Sequence, residues 1–78
     1  MTITTLSHKI ANLESHVEYH SNLANHYELV SKTFKGTLKG SFAKDEMAYH
    51  IDKANDLVSE LDYLHTRYER EVDKWAES

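Results

Sequence analysis

Six histidines stand in a chain of 78 residues that contains no cysteine. Imidazole is the side chain best suited to hold a first-row metal or to change charge near neutral pH. His16 and His20 lie four apart, which sets them one turn from each other on one helix face. In an antiparallel hairpin His65 comes alongside them, with Glu69 one turn further on. These four are the candidate ligands for zinc or another divalent ion. The spacing departs from the recognised signatures. There is no Glu-x-x-His of the di-iron bundles, and in His16-Val17-Glu18-Tyr19-His20 the glutamate is misplaced for His-Glu-x-x-His. The structural expectation is simpler: His20 and His65 are polar layers in a helical core, where such layers fix register at some cost in stability. On that account no metal or other cofactor is expected. It also predicts assembly that weakens below about pH 6.5, because imidazolium in an apolar seam loses its hydration.

Serine and threonine are plentiful, yet no nucleophile elbow and no phosphate-cradling glycine loop occurs. Without cysteine there is no thiol nucleophile, no thiolate metal site and no disulfide framework. Catalysis is not expected.

The second concentration of chemistry is cationic. Lys32, Lys35, Lys39 and Lys44 occur with no acidic residue between Ser31 and Lys44, a local +4 in a chain of net charge −4, so the remainder carries −8. Leu38 and Phe42 fall among these lysines. An apolar anchor in a basic rim suits an acidic groove on another protein, with phosphates as the second class of partner. The candidate partner-binding residues are Lys35, Leu38, Lys39, Phe42 and Lys44. The structural account of the same lysines is that they solvate a turn and neutralise the end of the first helix.

What must position these groups is a pair of helices. The only two glycines, Gly36 and Gly40, lie in Lys35–Ser41, and there is no proline. Before them apolar or small residues recur in steps of four and three: Leu6, Ile10, Leu13, Val17, His20, Ala24, Tyr27, Ser31, Phe34. After them the steps return through Met47, Ile51, Ala54, Val58, Leu61, His65, Tyr68, Val72 and Trp75. An average repeat of 3.5 keeps one seam facing a partner helix. Two such ladders about a turn predict an all-α, coiled-coil-like antiparallel hairpin. It forms a single domain over 1–78, with helix 1 at about 5–35, the turn at 36–41 and helix 2 at about 42–76. Thr4, Thr5 or Ser7 would cap the first helix and Ser41 the second. Folding the two ladders against each other about that turn pairs positions whose numbers add to about 81, setting Leu6 against Trp75.

One flank of the seam is wider in apolar residues: Leu23, Val30, Leu57 and Leu64. Burial of a large apolar side chain is worth ~1.5–3 kcal/mol against ~1–2 kcal/mol of ordering cost per residue, so one seam leaves a lone hairpin marginal. A second copy laid on this flank would close a four-helix bundle, and a two-fold dimer is the commonest such assembly. The expected function is therefore a non-enzymatic protein-binding module that homodimerises and modulates an unidentified protein partner as an adaptor, inhibitor or assembly factor. Nucleic-acid binding through the basic tip and a histidine metal bundle are the alternatives. The acidic rods count against broad nucleic-acid binding. No signal peptide and no run of 18 apolar residues is present, so a cytoplasmic protein without a membrane partner is expected.

Overall fold

The computed structural model describes residues 2–77. They form two antiparallel helices, α1 (Ile3–Thr33) and α2 (Leu38–Glu77), joined by the four-residue turn 34–37. The chain is an all-α helical hairpin, a rod 62 Å long and 14 Å across between Cα atoms. With no proline, and both glycines at or beside the turn, nothing interrupts either helix.

Both helices start earlier than the sequence bounds, and the cause is the same at each. A threonine one turn upstream supplies the capping oxygen. Thr2, in extended conformation, accepts the Thr5 backbone N–H at 3.1 Å. At the turn Thr37, not Ser41, caps α2: its Oγ1 accepts the Gly40 N–H at 3.1 Å and donates to the Phe34 carbonyl at 2.6 Å. The reversal thus occupies 34–37 rather than 36–41. Gly36 sits in the left-handed region at φ +83°, which a side chain disfavours. Gly40 has a different task. A Cβ there would lie 2.9 Å from the Phe34 carbonyl carbon and nearer still to its oxygen, so only glycine lets α2 begin this close to the end of α1.

Moving the turn changes the register. The strongest apolar cluster unites Leu6 and Ile10 of α1 with Leu61 and Leu64 of α2, and Leu13, Val17 and Tyr68 pack against it. Leu6, fully buried, therefore meets the Leu61–Tyr68 stretch and not Trp75, which is 74% exposed. At ~1.5 Å per residue α2 outruns α1 by about 14 Å, and Trp75 lies on that projecting end. Towards the tip the seam is built from small residues instead: Ser31, Gly40 and Ala43 are all buried.

The buried face of α1 is the expected ladder, Leu6 through Ser31, with every rung buried or half-buried. On α2 the face is rotated. Ala43, Met47, His50, Ala54, Leu57, Leu61, Leu64 and Tyr68 face α1, whereas Ile51 and Val58, expected in the seam, are 44% and 42% exposed. His65 is exposed as well. The two readings share Met47, Ala54, Leu61 and Tyr68 and differ by one residue in between. The observed face exchanges Ile51, Val58 and His65 for His50 and two leucines.

Substitution at the glycines separates their roles. Gly36→Ala should lower stability by on the order of 1 kcal/mol, the cost of a left-handed non-glycine residue. Gly40→Ala should cost more, since the Phe34 backbone must move. Thermal melts followed by circular dichroism check this, and a Gly40→Ala protein as stable as the parent would contradict the close approach.

Candidate functional site

Two groups of side chains stand out once the register is fixed. The first lies at mid-rod. His20 Nδ1 and His50 Nδ1 are 2.7 Å apart, His50 being buried and His20 half-buried. A bond between two imidazole nitrogens needs one protonated and one bare, so the rings hold opposite tautomers. Glu46 Oε2, 3.8 Å from His50 Nε2, favours the proton on that nitrogen. His50 Nδ1 is then the acceptor and His20 Nδ1–H the donor. The Tyr27 ring lies parallel to His50 with centroids 5.9 Å apart, and Phe42 meets Tyr27 edge-on at 6.4 Å. Tyr49 and Tyr19 add edge contacts to His50 and His20. A continuous run of rings thus leads from Phe42 beside the tip to Tyr19 at mid-rod.

Burial in the seam, and then electrostatic opposition from the neighbouring His50, His16 and Lys53 to a charge on its ring, hold His20 below its ordinary imidazole pKa. The bond requires a bare nitrogen and cannot survive double protonation. The expected polar layer therefore exists with a different partner: His50 stands beside His20 where the sequence register had placed His65. His65 instead lies 3.8 Å from Glu14 on an exposed edge. His16, His20, His65 and Glu69 are accordingly not gathered. Among the described residues no three His, Cys, Asp or Glu side chains come together as a metal-binding group.

The second group is the tip. Leu38, the first residue of α2, is 91% exposed, and Phe42, one turn on along the same face, is 58% exposed. Lys39 Nζ lies 4.1 Å from the centroid of the Phe34 ring, a cation–π contact. Lys32 is tied to Glu28 at 2.9 Å, a solvated pair one turn apart and so a weak one. Lys35 and Lys44 make no ion pair among the described residues. Both line two adjoining depressions, one of about 410 Å³ running to Met47 and one of about 390 Å³ running to Leu38. Of the five tip residues read from the sequence, Lys35 and Lys44 therefore share one side, Leu38 and Phe42 form an apolar pair, and Lys39 is engaged with Phe34.

The four residues of the widened flank have a partly different fate. Leu64 is 6% exposed within the hairpin's own core, and Leu23, Val30 and Leu57 are half-buried beside it. The exposed edge is instead the one that carries Ile51 and Val58. Sequence reasoning missed His50 and this edge for one reason. Positions 50, 57 and 64 match the heptad as well as 51, 58 and 65 do, and only the placement of the turn decides between them.

Fold and surface together define a helical hairpin with a polar histidine layer at its middle and a basic, apolar-ended apex. Comparison with known protein families, with curated proteins and with solved structures finds no match. Among the described residues no helix is long and apolar enough to cross a membrane.

The lowered pKa of His20 fixes the sign of a pH effect. The folded chain binds this proton less readily than the unfolded chain, so stability is full above the ordinary imidazole value, about 6.5. It declines as the pH falls from there through the lowered folded value. The melting temperature should drop between pH 7.5 and 5.5, and His20→Gln should flatten that slope. An unchanged slope in the variant would remove His20 from the account.

Proposed function

We propose that this chain is a small, non-enzymatic protein-binding module that self-associates and docks on another protein through the first turn of α2. In that role it would serve as an adaptor, inhibitor or assembly factor. The observation that carries the reading is the pair Leu38 and Phe42, exposed one above the other at a turn whose backbone is held by the Thr37 hydroxyl and the close approach of Gly40. Two apolar side chains at i and i+4 are the pattern by which a helix enters a hydrophobic groove. The neighbouring lysines favour a groove with an acidic rim, which speeds encounter and rejects basic surfaces. The partner's chemistry is thus an apolar cleft edged by carboxylates.

The exposed pair stands on the first turn of a helix whose start is held by Thr37 and Gly40, so it is already placed for contact and docking carries less ordering cost. The rods behind it carry the acidic excess, which opposes adhesion to nucleic acid along their length. A tip that bound phosphates instead would show affinity falling linearly with salt on a logarithmic scale.

Affinity capture with the intact chain, compared with a Leu38→Ser/Phe42→Ser variant and with a Lys35→Glu/Lys39→Glu variant, tests the reading. All four side chains are exposed, so the hairpin should still fold, with only a small loss from the Phe42–Tyr27 and Lys39–Phe34 contacts, checked by circular dichroism. Partner recovery should be lost with the first variant and reduced about tenfold or more with the second. Equal recovery by all three proteins would end the tip hypothesis.

A further inference from the structure

We propose that two copies pair antiparallel through the Ile51–Val58 edge, each lysine-bearing tip lying over the acidic far end of the other copy. This deepens the reading above and rests on its premise that the chain self-associates. It assigns the contact to the edge opposite the flank that the sequence favoured.

Ile51 and Val58 are seven apart, on one line along α2, and 44% and 42% exposed. They are the large residues that the rotation of α2 turned out of the seam. Beside Ile51 lies a depression of about 210 Å³ whose other walls are small or polar: Ser21, Ala24, Asn25, Ala54 and Asn55. A ridge next to a shallow hollow on one surface is self-complementary about a two-fold axis, since the ridge of each copy can enter the hollow of the other.

Charge selects the direction. Towards the tip the same edge carries Lys32, Lys35 and Lys44 around Met47, with Glu28 paired to Lys32, so its balance there is positive through Lys35 and Lys44. Towards the far end it carries Asp62 and Glu69, four and eleven residues on from Val58, and Glu14 where His65 meets it. A parallel pair would stack lysines on lysines and carboxylates on carboxylates. An antiparallel pair centred between Ile51 and Val58 faces Ile51 of one copy with Val58 of the other. It brings Lys44 level with His65, between Asp62 and Glu69, and carries Lys32 and Lys35 towards Glu69. Leu38 and Phe42 remain outside this contact.

The test is the oligomeric state of the full chain by sedimentation equilibrium, with helicity checked by circular dichroism. The parent should be a dimer. Ile51→Asp/Val58→Asp should be a folded monomer, whereas Leu23→Ser/Val30→Ser should still dimerise. Lys44→Glu should weaken the dimer at least about tenfold, and adding Asp62→Lys to the same chain should restore it, which a parallel pair cannot do. Because the chain has no cysteine, Asn55→Cys near the two-fold axis should cross-link under mild oxidation. A parent that stays monomeric removes both this proposal and the self-association it rests on. A dimer that survives Ile51→Asp/Val58→Asp but dissolves with Leu23→Ser/Val30→Ser overturns the assigned edge alone and leaves self-association standing.

Discussion

The close approach of α2 to the Phe34 carbonyl governs the rest of the molecule. Thr37 bridges that carbonyl and the Gly40 N–H, Gly36 supplies the left-handed residue, and Gly40 leaves room where any side chain would collide. Together these contacts fix both where the chain reverses and how α2 is rotated as it leaves the turn. Rotation is the more consequential of the two. It sends Leu57, Leu64 and His50 inward, and it leaves Ile51 and Val58 on an edge.

A polar layer follows from that choice. With His50 turned inward, a buried imidazole needs a partner, and His20 on the facing helix supplies it at 2.7 Å. The alternative rotation would have buried His65 near Glu14 and left His50 in water. Both rotations put one histidine of α2 in the seam, and the observed one exchanges an isoleucine and a valine for two leucines. Among the described residues no buried side-chain nitrogen or oxygen lacks a partner, as a layer that specifies register requires. The Tyr27 ring stacks on this layer, and the more exposed Tyr49 and Tyr19 border it, without adding charge.

Much of this was legible in the residues. The missing proline, the paired glycines and the four-three ladder of α1 led directly to an antiparallel hairpin, and that ladder is the face α1 buries. The face of α2 was not legible, because Met47, Ala54, Leu61 and Tyr68 serve two adjacent ladders equally well. Hydrophobicity alone favours neither strongly. What separates them is where α2 starts, and that turns on Thr37 rather than Ser41 acting as the cap. Two good capping residues four apart give a sequence reader no reason to prefer the first. The need for glycine at Gly40, which settles the matter, is visible only in the distance to Phe34. The tip was easier, since four lysines around an exposed leucine need only the turn to be placed approximately.

The position of the apolar cluster has a kinetic meaning. In a hairpin, contacts near the reversal close small loops, and those at the open mouth close nearly the whole chain; the entropic cost rises with loop length, though slowly. Here the mouth holds Leu6, Ile10, Leu61 and Leu64, while the segment by the reversal holds Ser31, Gly40 and Ala43. The adhesive is thus strongest where fraying would otherwise begin. A hydrophobic latch at the mouth therefore opposes separation of the helix ends, whereas the small-residue seam by the reversal holds least apolar surface.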